Sequence, residues 1–240
     1  MNTLLDLHTH TIVSGHAYST MQEMVKAASE KGLKMFGITE HGPAMPGSCS
    51  PMYFRNLAVI PRWMYGVELF VGAEINIMDA SGNLDLEQKD IDKLDIRLAG
   101  IHCRCFKKGT IEENTAGVIN VIKNKDIDII SHPADGTVDL LFEPIVLASK
   151  EYGTLLELNN SSLRPIRKKE KAHDNNIEML RLCQKYEVPV IIGSDAHISF
   201  DMGCHDMALK LVSEIGFPEK LILNDKVDRV RDFINRRKNA

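Results

Sequence analysis

Seven short apolar runs punctuate the chain: Leu4-Leu5-Asp6-Leu7, Met35-Phe36-Gly37-Ile38, Leu69-Phe70-Val71-Gly72, Ile96-Arg97-Leu98-Ala99-Gly100-Ile101, Ile127-Asp128-Ile129-Ile130, Thr154-Leu155-Leu156-Glu157-Leu158 and Val190-Ile191-Ile192-Gly193. Each has the length of a strand, and between them stand segments whose apolar residues return at helical spacing. This alternation predicts successive βα units and therefore an α/β fold with a parallel sheet. Leu221-Ile222-Leu223 is a candidate eighth strand, too brief to count with the others.

Helix signals fill the intervals. Thr20-Met21-Gln22-Glu23 has the form of a capping box, opening a helix that runs to Lys31 and stops at Gly32. Apolar spacing predicts further helices over 111–123, 144–152, 176–186, 207–215 and 227–234, the last followed by a basic Arg236-Arg237-Lys238 suited to a helix C-terminus. A helix over 54–65 is also predicted, kinked or divided by Pro61. No repeat, low-complexity tract or linker interrupts the sequence, so residues 1–240 read as a single domain of a length that suits one (β/α) barrel.

The residues that follow the apolar runs carry the chemistry. The first run delivers His8 and His10, which as i and i+2 on an extended chain face one side, with His16 in the next loop. The second leads to Thr39-Glu40-His41, the third to Glu74, the fourth to His102, the fifth to His132, and the last to Asp195 and His197. The sixth ends instead in Asn159-Asn160-Ser161-Ser162. Parallel strands in a closed barrel present all their C-terminal ends on one face, so these residues converge. Imidazole and carboxylate donors suit zinc, manganese or iron, and one zinc ion takes about four ligands. The set exceeds one ion's needs and matches two or three ions sharing a bridging carboxylate. Taken singly, each histidine is equally well explained by a backbone hydrogen bond at a loop start; the joint pattern favours metal.

Composition narrows the partners. Hydrophobic residues make up 44% and charged residues 26%, as in a globular protein, and the net charge of −4 provides no global field for nucleic acid or an anionic membrane. An anionic substrate must therefore be attracted locally. The N-terminus lacks a basic segment followed by a long apolar stretch, no run approaches membrane-spanning length, and the five cysteines fall at unrelated spacings. A reducing cytoplasm is the expected location.

In order, His8-Thr9-His10, Thr39-Glu40-His41, Gly72-Ala73-Glu74, the isolated His102, Ser131-His132-Pro133 and Ser194-Asp195-Ala196-His197 resemble the successive motifs of the PHP (polymerase and histidinol phosphatase) superfamily. With Glu157-Leu158-Asn159-Asn160-Ser161-Ser162 and Met202-Gly203, the chain is most similar to the compact YcdX-type phosphatases of that superfamily. The resemblance implies a distorted (β/α)7 barrel with a trinuclear site at its C-terminal face. Zinc is the expected metal, with manganese or iron as alternatives. It assigns His8, His10 and Asp195 to a first ion, with Glu74 bridging to a second held by His102 and His132, and His16, His41 and His197 to a third. Glu74 and Asp195 are the carboxylates expected to serve catalysis.

Three divalent ions offset by two carboxylates leave a pocket charge of about +4, which suits a phosphate dianion. A metal-activated water then needs no protein nucleophile, and neither a Gly-x-Ser-x-Gly elbow nor a Walker-type loop is present. The expected activity is metal-dependent hydrolysis of phosphoesters, foremost small phosphomonoesters. A nuclease or phosphodiesterase acting on nucleic-acid ends is one alternative, disfavoured by the missing basic balance and aromatic-basic groove. A catalytically idle metal-binding protein is another, disfavoured by the complete ligand set.

Several residues retain two readings. Glu40 is a candidate support for a ligand imidazole or a solvated loop carboxylate. Arg164, Arg167, Lys168, Lys169 and Lys171 follow the sixth strand, where one or two could clamp phosphate, though basic loops are usually solvated. Asn159 could bind substrate or cap its own loop. Cys103 and Cys105 are read as neighbours of the site or packing residues, and His173 and His205 as solvent-facing or helix-end residues.

Overall fold

The computed structural model describes residues 1–238. Its strands are β1 (Leu5–Asp6), β2 (Met35–His41), β3 (Trp63–Met64), β4 (Val67–Asn76), β5 (Ile96–Gly100), β6 (Ile129–Ile130), β7 (Leu155–Asn159) and β8 (Val190–Gly193). They form one sheet in the order β1-β2-β4-β5-β6-β7-β8, every pair along that path parallel. The sheet curls until its edges meet, giving the nearly closed barrel that the βα alternation predicts.

The helices are α1 (Met21–Glu30), α2 (Pro51–Arg55), α3 (Gln88–Ile91), α4 (Ile111–Ile122), α5 (Phe142–Tyr152), α6 (Ala172–Tyr186), α7 (Asp206–Ile215) and α8 (Val227–Lys238). The Thr20 capping box is present: the Thr20 side chain accepts from the Glu23 N–H, and the Glu23 carboxylate accepts from the Thr20 N–H. Thr110 and Glu113 make a second capping box at the start of α4. The side chains of the basic tail 236–238 lie outside the described residues. Among those described, no helix is long and apolar enough to cross a membrane.

Strand alternation sorts the core into two layers. Leu5, Met35, Phe70, Ile96 and Ile129 face the barrel interior and pack with Val230 and Ile234 of α8, which plugs the N-terminal mouth. The opposite faces, with residues such as Phe36, Val71, Leu156 and Ile192, pack against the surrounding helices. The apolar plug fills the lower barrel, so polar groups at the upper strand ends rest on a dry floor.

The helix expected over 54–65 does not form. Residues 51–55 make the short α2, 57–59 a single 3-10 turn, and β3 then pairs antiparallel with β4. Pro61 offers no N–H to continue a helix, and Tyr65 and Gly66, at φ 50° and 76°, supply the two-residue turn of a tight hairpin. α6 begins at Ala172, ahead of the expected 176.

The barrel closes where β1 meets β8, and there the ladder is sparse. Near the top a single bridge joins Thr9 to Ala196, with the His10 N–H donating to the Ala196 carbonyl at 2.8 Å. Lower down, the candidate eighth strand is a wedge: Ile222 makes an isolated parallel bridge to Val190, and Leu4 N–H donates to the Asn224 carbonyl at 2.7 Å. The buried Asn224 amide stands in for missing ladder bonds. Its Oδ1 accepts from Ile192 N–H at 2.7 Å, and its Nδ2 donates to the carbonyls of Ile192 at 2.7 Å and Leu5 at 3.2 Å.

Replacing Asn224 by Leu keeps the volume but strands these buried backbone groups. Leaving them unpaired should cost about 3 kcal/mol, or roughly 10 °C in melting temperature for a chain this size. Urea denaturation with an unchanged m-value would read the loss, and wild-type stability would show that the seam does not depend on this amide.

Candidate metal centre

The structure gathers His8, His10, His16, His41, Glu74, His102, His132, Asp195 and His197 around the C-terminal barrel mouth, where His8, His10, His41, Glu74 and His132 are buried, His102, Asp195 and His197 are partly buried and His16 is exposed. Small residues make the room. A Cβ on Gly193 would collide with Glu157 Oε1, and one on Gly100 with Ser131 Oγ. Two of the gathered residues hold left-handed backbone, His132 at φ 32° and Asp195 at φ 52°. Such conformations cost on the order of 1–2 kcal/mol each and are over-determined by their surroundings. The His132 N–H donates to Glu157 Oε2 at 2.7 Å, while Asn159 Nδ2 lies 3.4 Å from Asp195 Oδ2.

Hydrogen bonds at the outer nitrogens decide which ring nitrogen faces inward. His16 Nδ1 donates to the Ser14 carbonyl at 3.0 Å and His197 Nδ1 to the Asp195 carbonyl at 3.0 Å, because a carbonyl can only accept. His8 Nδ1 donates to the Glu157 carboxylate at 2.7 Å, and His102 Nδ1 to Asn76 Oδ1 at 2.8 Å, the Asn76 amide being oriented by its own donation to Asp85 at 2.6 Å. Ser14 Oγ donates to Glu40 Oε2 at 2.6 Å, so it accepts from His10 Nδ1 at 3.1 Å. In each of these five rings Nε2 is therefore the nitrogen that faces inward, and in the neutral ring it carries a lone pair.

The inward-facing groups are crowded together at the centre of the mouth. His8 and His10 face each other Nε2 to Nε2 at 3.1 Å, and Glu74 Oε2 and His41 Nδ1, 2.8 Å apart, are both buried without a hydrogen-bond partner. The same separations fit a metal. His8 Nε2 stands 3.1 Å from His10 Nε2, 3.4 Å from Glu74 Oε2 and 3.7 Å from Asp195 Oδ1, and His10 Nε2 stands 3.5 and 3.4 Å from the same two oxygens. An edge of about 3.3 Å is what a tetrahedron with bonds of 2.0–2.1 Å requires. Around Glu74 Oε1 the approach is tighter, with His132 Nε2 at 2.6 Å and His102 Nε2 at 3.4 Å. The rings of His16, His41 and His197 form the remaining group, His16 lying 4.9 Å from each of the other two between centroids. His41 is not confined to that group: it also clusters with Glu74 and His102, and with His10 and His197.

Electrostatics divide the donors: burial keeps some imidazoles neutral, whereas at His8 and His132 the neighbouring carboxylates outweigh burial and favour the protonated ring, whose proton a bound cation would replace. Burial holds His10 well below the ordinary imidazole range and brings His41 down to about 4, so both stay neutral. Burial works against ionisation of Glu74, but His102, His8, His132 and His41 together hold its carboxyl well below the usual range. Burial likewise opposes charge on His132, and Glu74 outweighs it, raising that imidazole to about 9. Glu40 is pushed up to about 7 by burial, against the pull of the Ser14 and Thr11 hydroxyls.

The other candidates fall into place around this centre. Glu40 is fully buried and reaches His10 through Ser14, not the adjacent His41; it also accepts from Thr11 N–H at 3.1 Å. Asn159 is buried too, its Oδ1 accepting from Ser162 N–H and Oγ at 2.8 Å, an amide that caps its loop and steadies Asp195. Arg167 lines the cavity of about 230 Å³ above the donors, as do Lys169, Arg104 and Cys103. Arg164 does not line it; its guanidinium pairs with Asp201 at 2.5 Å. Cys105 keeps its proton, burial pushing the thiol up to about 11. His173 is exposed, but His205 is buried beside Asp6 at 3.7 Å, a packed position at the start of α7.

Sequence reasoning passed over Ser14, Asn76 and Glu157 as supports. Glu157 was open to detection, since residues 155, 157 and 159 share the interior face of β7 and a lone charge there must have a partner. Ser14 and Asn76 carry no such signal.

Replacing Ser14 by Ala removes the acceptor that orients His10, together with the hydroxyl that bonds the His41 N–H at 3.1 Å. Metal affinity should fall about 10–100-fold, the usual consequence of losing such a support. Chelator competition on folded protein reads it, and an unchanged affinity would show that the tautomer is set elsewhere.

The PHP domain family model matches residues 6–236. A protein of Acetivibrio thermocellus named "Probable phosphatase" is 45% identical over 238 residues, covering 99% of this chain and 98% of that protein. A relative of the same designation from Thermoanaerobacter sp. (strain X514) is 43% identical over 239 residues, covering 99% and 97%. Among solved structures, histidinol phosphate phosphatase from Lactococcus lactis, complexed with zinc, L-histidinol and phosphate, shares the fold with a TM-score of 0.61 at 17% identity, covering 90% of this chain and 95% of that one. On the strength of the match across nearly its whole length, the chain belongs to the PHP family.

Proposed function

We propose that this phosphatase of the PHP family hydrolyses small phosphomonoesters at a trinuclear metal site. His8, His10, Asp195 and Glu74 would hold the first ion, Glu74, His102 and His132 the second, and His16, His41 and His197 the third. The observation that carries the reading is the spacing of 3.1–3.7 Å at which His8 and His10 stand from each other and from Glu74 and Asp195, beneath an open cavity of about 230 Å³. Zinc suits the imidazole-rich donor set, and the Lactococcus structure with zinc, L-histidinol and phosphate supports both that metal and a small substrate.

Divalent ions, when bound, supply an acidified water and withdraw charge from the phosphoryl oxygens. The chain's own residues do the rest. Glu74 offers one carboxylate oxygen to each side of the cluster, its Oε1 steadied by the Ser131 hydroxyl at 2.7 Å. Asn159 holds Asp195 in place, and Arg167 presents its guanidinium to the cavity. A cavity this small has room for a monoester and little grip on a polymer. With no global positive charge, the single-strand nuclease alternative lacks an electrostatic track.

Elemental analysis of purified protein should find two to three equivalents of transition metal, and Glu74→Ala should lose more than one because both carboxylate oxygens serve. The loaded enzyme should turn over small phosphomonoesters far faster than single-stranded DNA at moderate salt, with His8→Ala or Asp195→Ala abolishing both. Efficient degradation of DNA ends beside inert monoesters would replace the phosphatase reading by the nuclease one.

A further inference from the structure

The cavity above the donor cluster has cationic walls. Arg104, in the loop after β5, and Arg167, in the loop after β7, line it with Lys169. Lys169 is already neutralised, its ammonium lying 2.7 Å from Asp135 Oδ2 and 2.7 Å from Thr137 Oγ1. Arg167 donates Nε to Ser161 Oγ at 2.9 Å, which orients the guanidinium without discharging it. Among the described residues, neither Arg104 nor Arg167 has a carboxylate partner. Both are exposed, at the rim of the cavity, whereas the buried Arg97 is paired with Asp128 and the partly buried Arg55, Arg164 and Arg231 with Asp90, Asp201 and Glu68.

A guanidinium left without a counter-ion on the wall of a concave site is suited to an anion brought by the ligand. The donors on the floor, once they hold divalent ions, would attract the phosphoryl group that reacts. The arginines belong to loops rising from that floor, where the organic part of a bound monoester must lie. We infer that Arg104 and Arg167 form a subsite for a second anionic group, so that the preferred substrates are small phosphomonoesters bearing another phosphate or a carboxylate. This rests on the phosphomonoesterase reading above. It also separates this chain's specificity from a substrate such as histidinol phosphate, whose protonated amine the same walls would repel.

The test compares substrates matched in all but their second charge on the metal-loaded enzyme. Fructose 1,6-bisphosphate is set against fructose 6-phosphate, 3-phosphoglycerate against glycerol 3-phosphate, and histidinol phosphate serves as the cationic case. At least one anionic member should exceed its neutral counterpart in kcat/KM by about tenfold or more, and which pair responds tells phosphate from carboxylate. The Arg104→Ala, Arg167→Ala double variant should collapse that ratio toward one. Glutamate at both positions should shift preference toward histidinol phosphate, a gain that damage to the fold would not produce, and lysine at both should retain most of the original ratio. Equal losses on charged and neutral members would mean that the arginines serve the reacting phosphate, and no wild-type preference in either pair would likewise overturn the subsite. If no monoester is hydrolysed, the activity reading fails by itself. Calorimetric titration with the same pairs then reads the subsite directly, and equal affinities within both pairs would overturn it.

Discussion

The buried carboxylate of Glu74 imposes the strictest condition on this molecule. It is wholly excluded from solvent, and its Oε2 finds no hydrogen-bond partner. An ionised carboxylate in that position is tolerable only if positive charge or cation ligands surround it. The chain answers with histidines delivered from four other strand ends, and each outward ring nitrogen must be given an acceptor so that a lone pair can face in. Much of the polar architecture outside the cluster follows from this need: Glu157 for His8, Ser14 backed by Glu40 for His10, Asn76 backed by Asp85 for His102.

Closure of the sheet is tied to the same cluster. The donor-bearing ends of β1 and β8 are neighbours only across the sparse seam, where one bridge, the Asn224 amide and the Asp6 carboxylate take over from a regular ladder. Asp6 accepts from the backbone N–H of Ser194 at 3.1 Å and of Gly203 at 2.9 Å, clasping the loop that carries Asp195 and His197 against the strand that carries His8 and His10. The left-handed backbone at Asp195 is stabilised by these surroundings. Stability and the placement of the donors are therefore parts of one structural problem in this barrel.

Above the floor, charge is divided by depth. The buried donors are arranged for cations, whereas the loops contribute arginines and lysines, some spent on nearby carboxylates and others left facing the cavity. The overall charge of −4 gives no hint of this local separation. Selectivity in such a site is set by where charges stand relative to the reacting group, with the net charge of the chain contributing little.

By itself the sequence determined the order of the parallel strands, the α1 capping box and the set of donors at the strand ends, because those depend on local periodicity and on residue chemistry that survives in one dimension. It misjudged residues 54–65, where apolar spacing suggested a helix and a proline followed by a two-residue turn made a hairpin instead. It left Glu40, Asn159, Arg164 and Arg167 undecided, since a loop residue's direction depends on what packs beside it. Only the tertiary structure decided that Glu40 works through Ser14, that Asn159 caps its loop, that Arg164 is engaged by Asp201 while Arg167 faces the cavity, and that residues 222–224 wedge the seam. Each of those outcomes is a contact between segments distant along the chain, fixed by burial and hydrogen-bond satisfaction, for which hydrophobic periodicity holds no record.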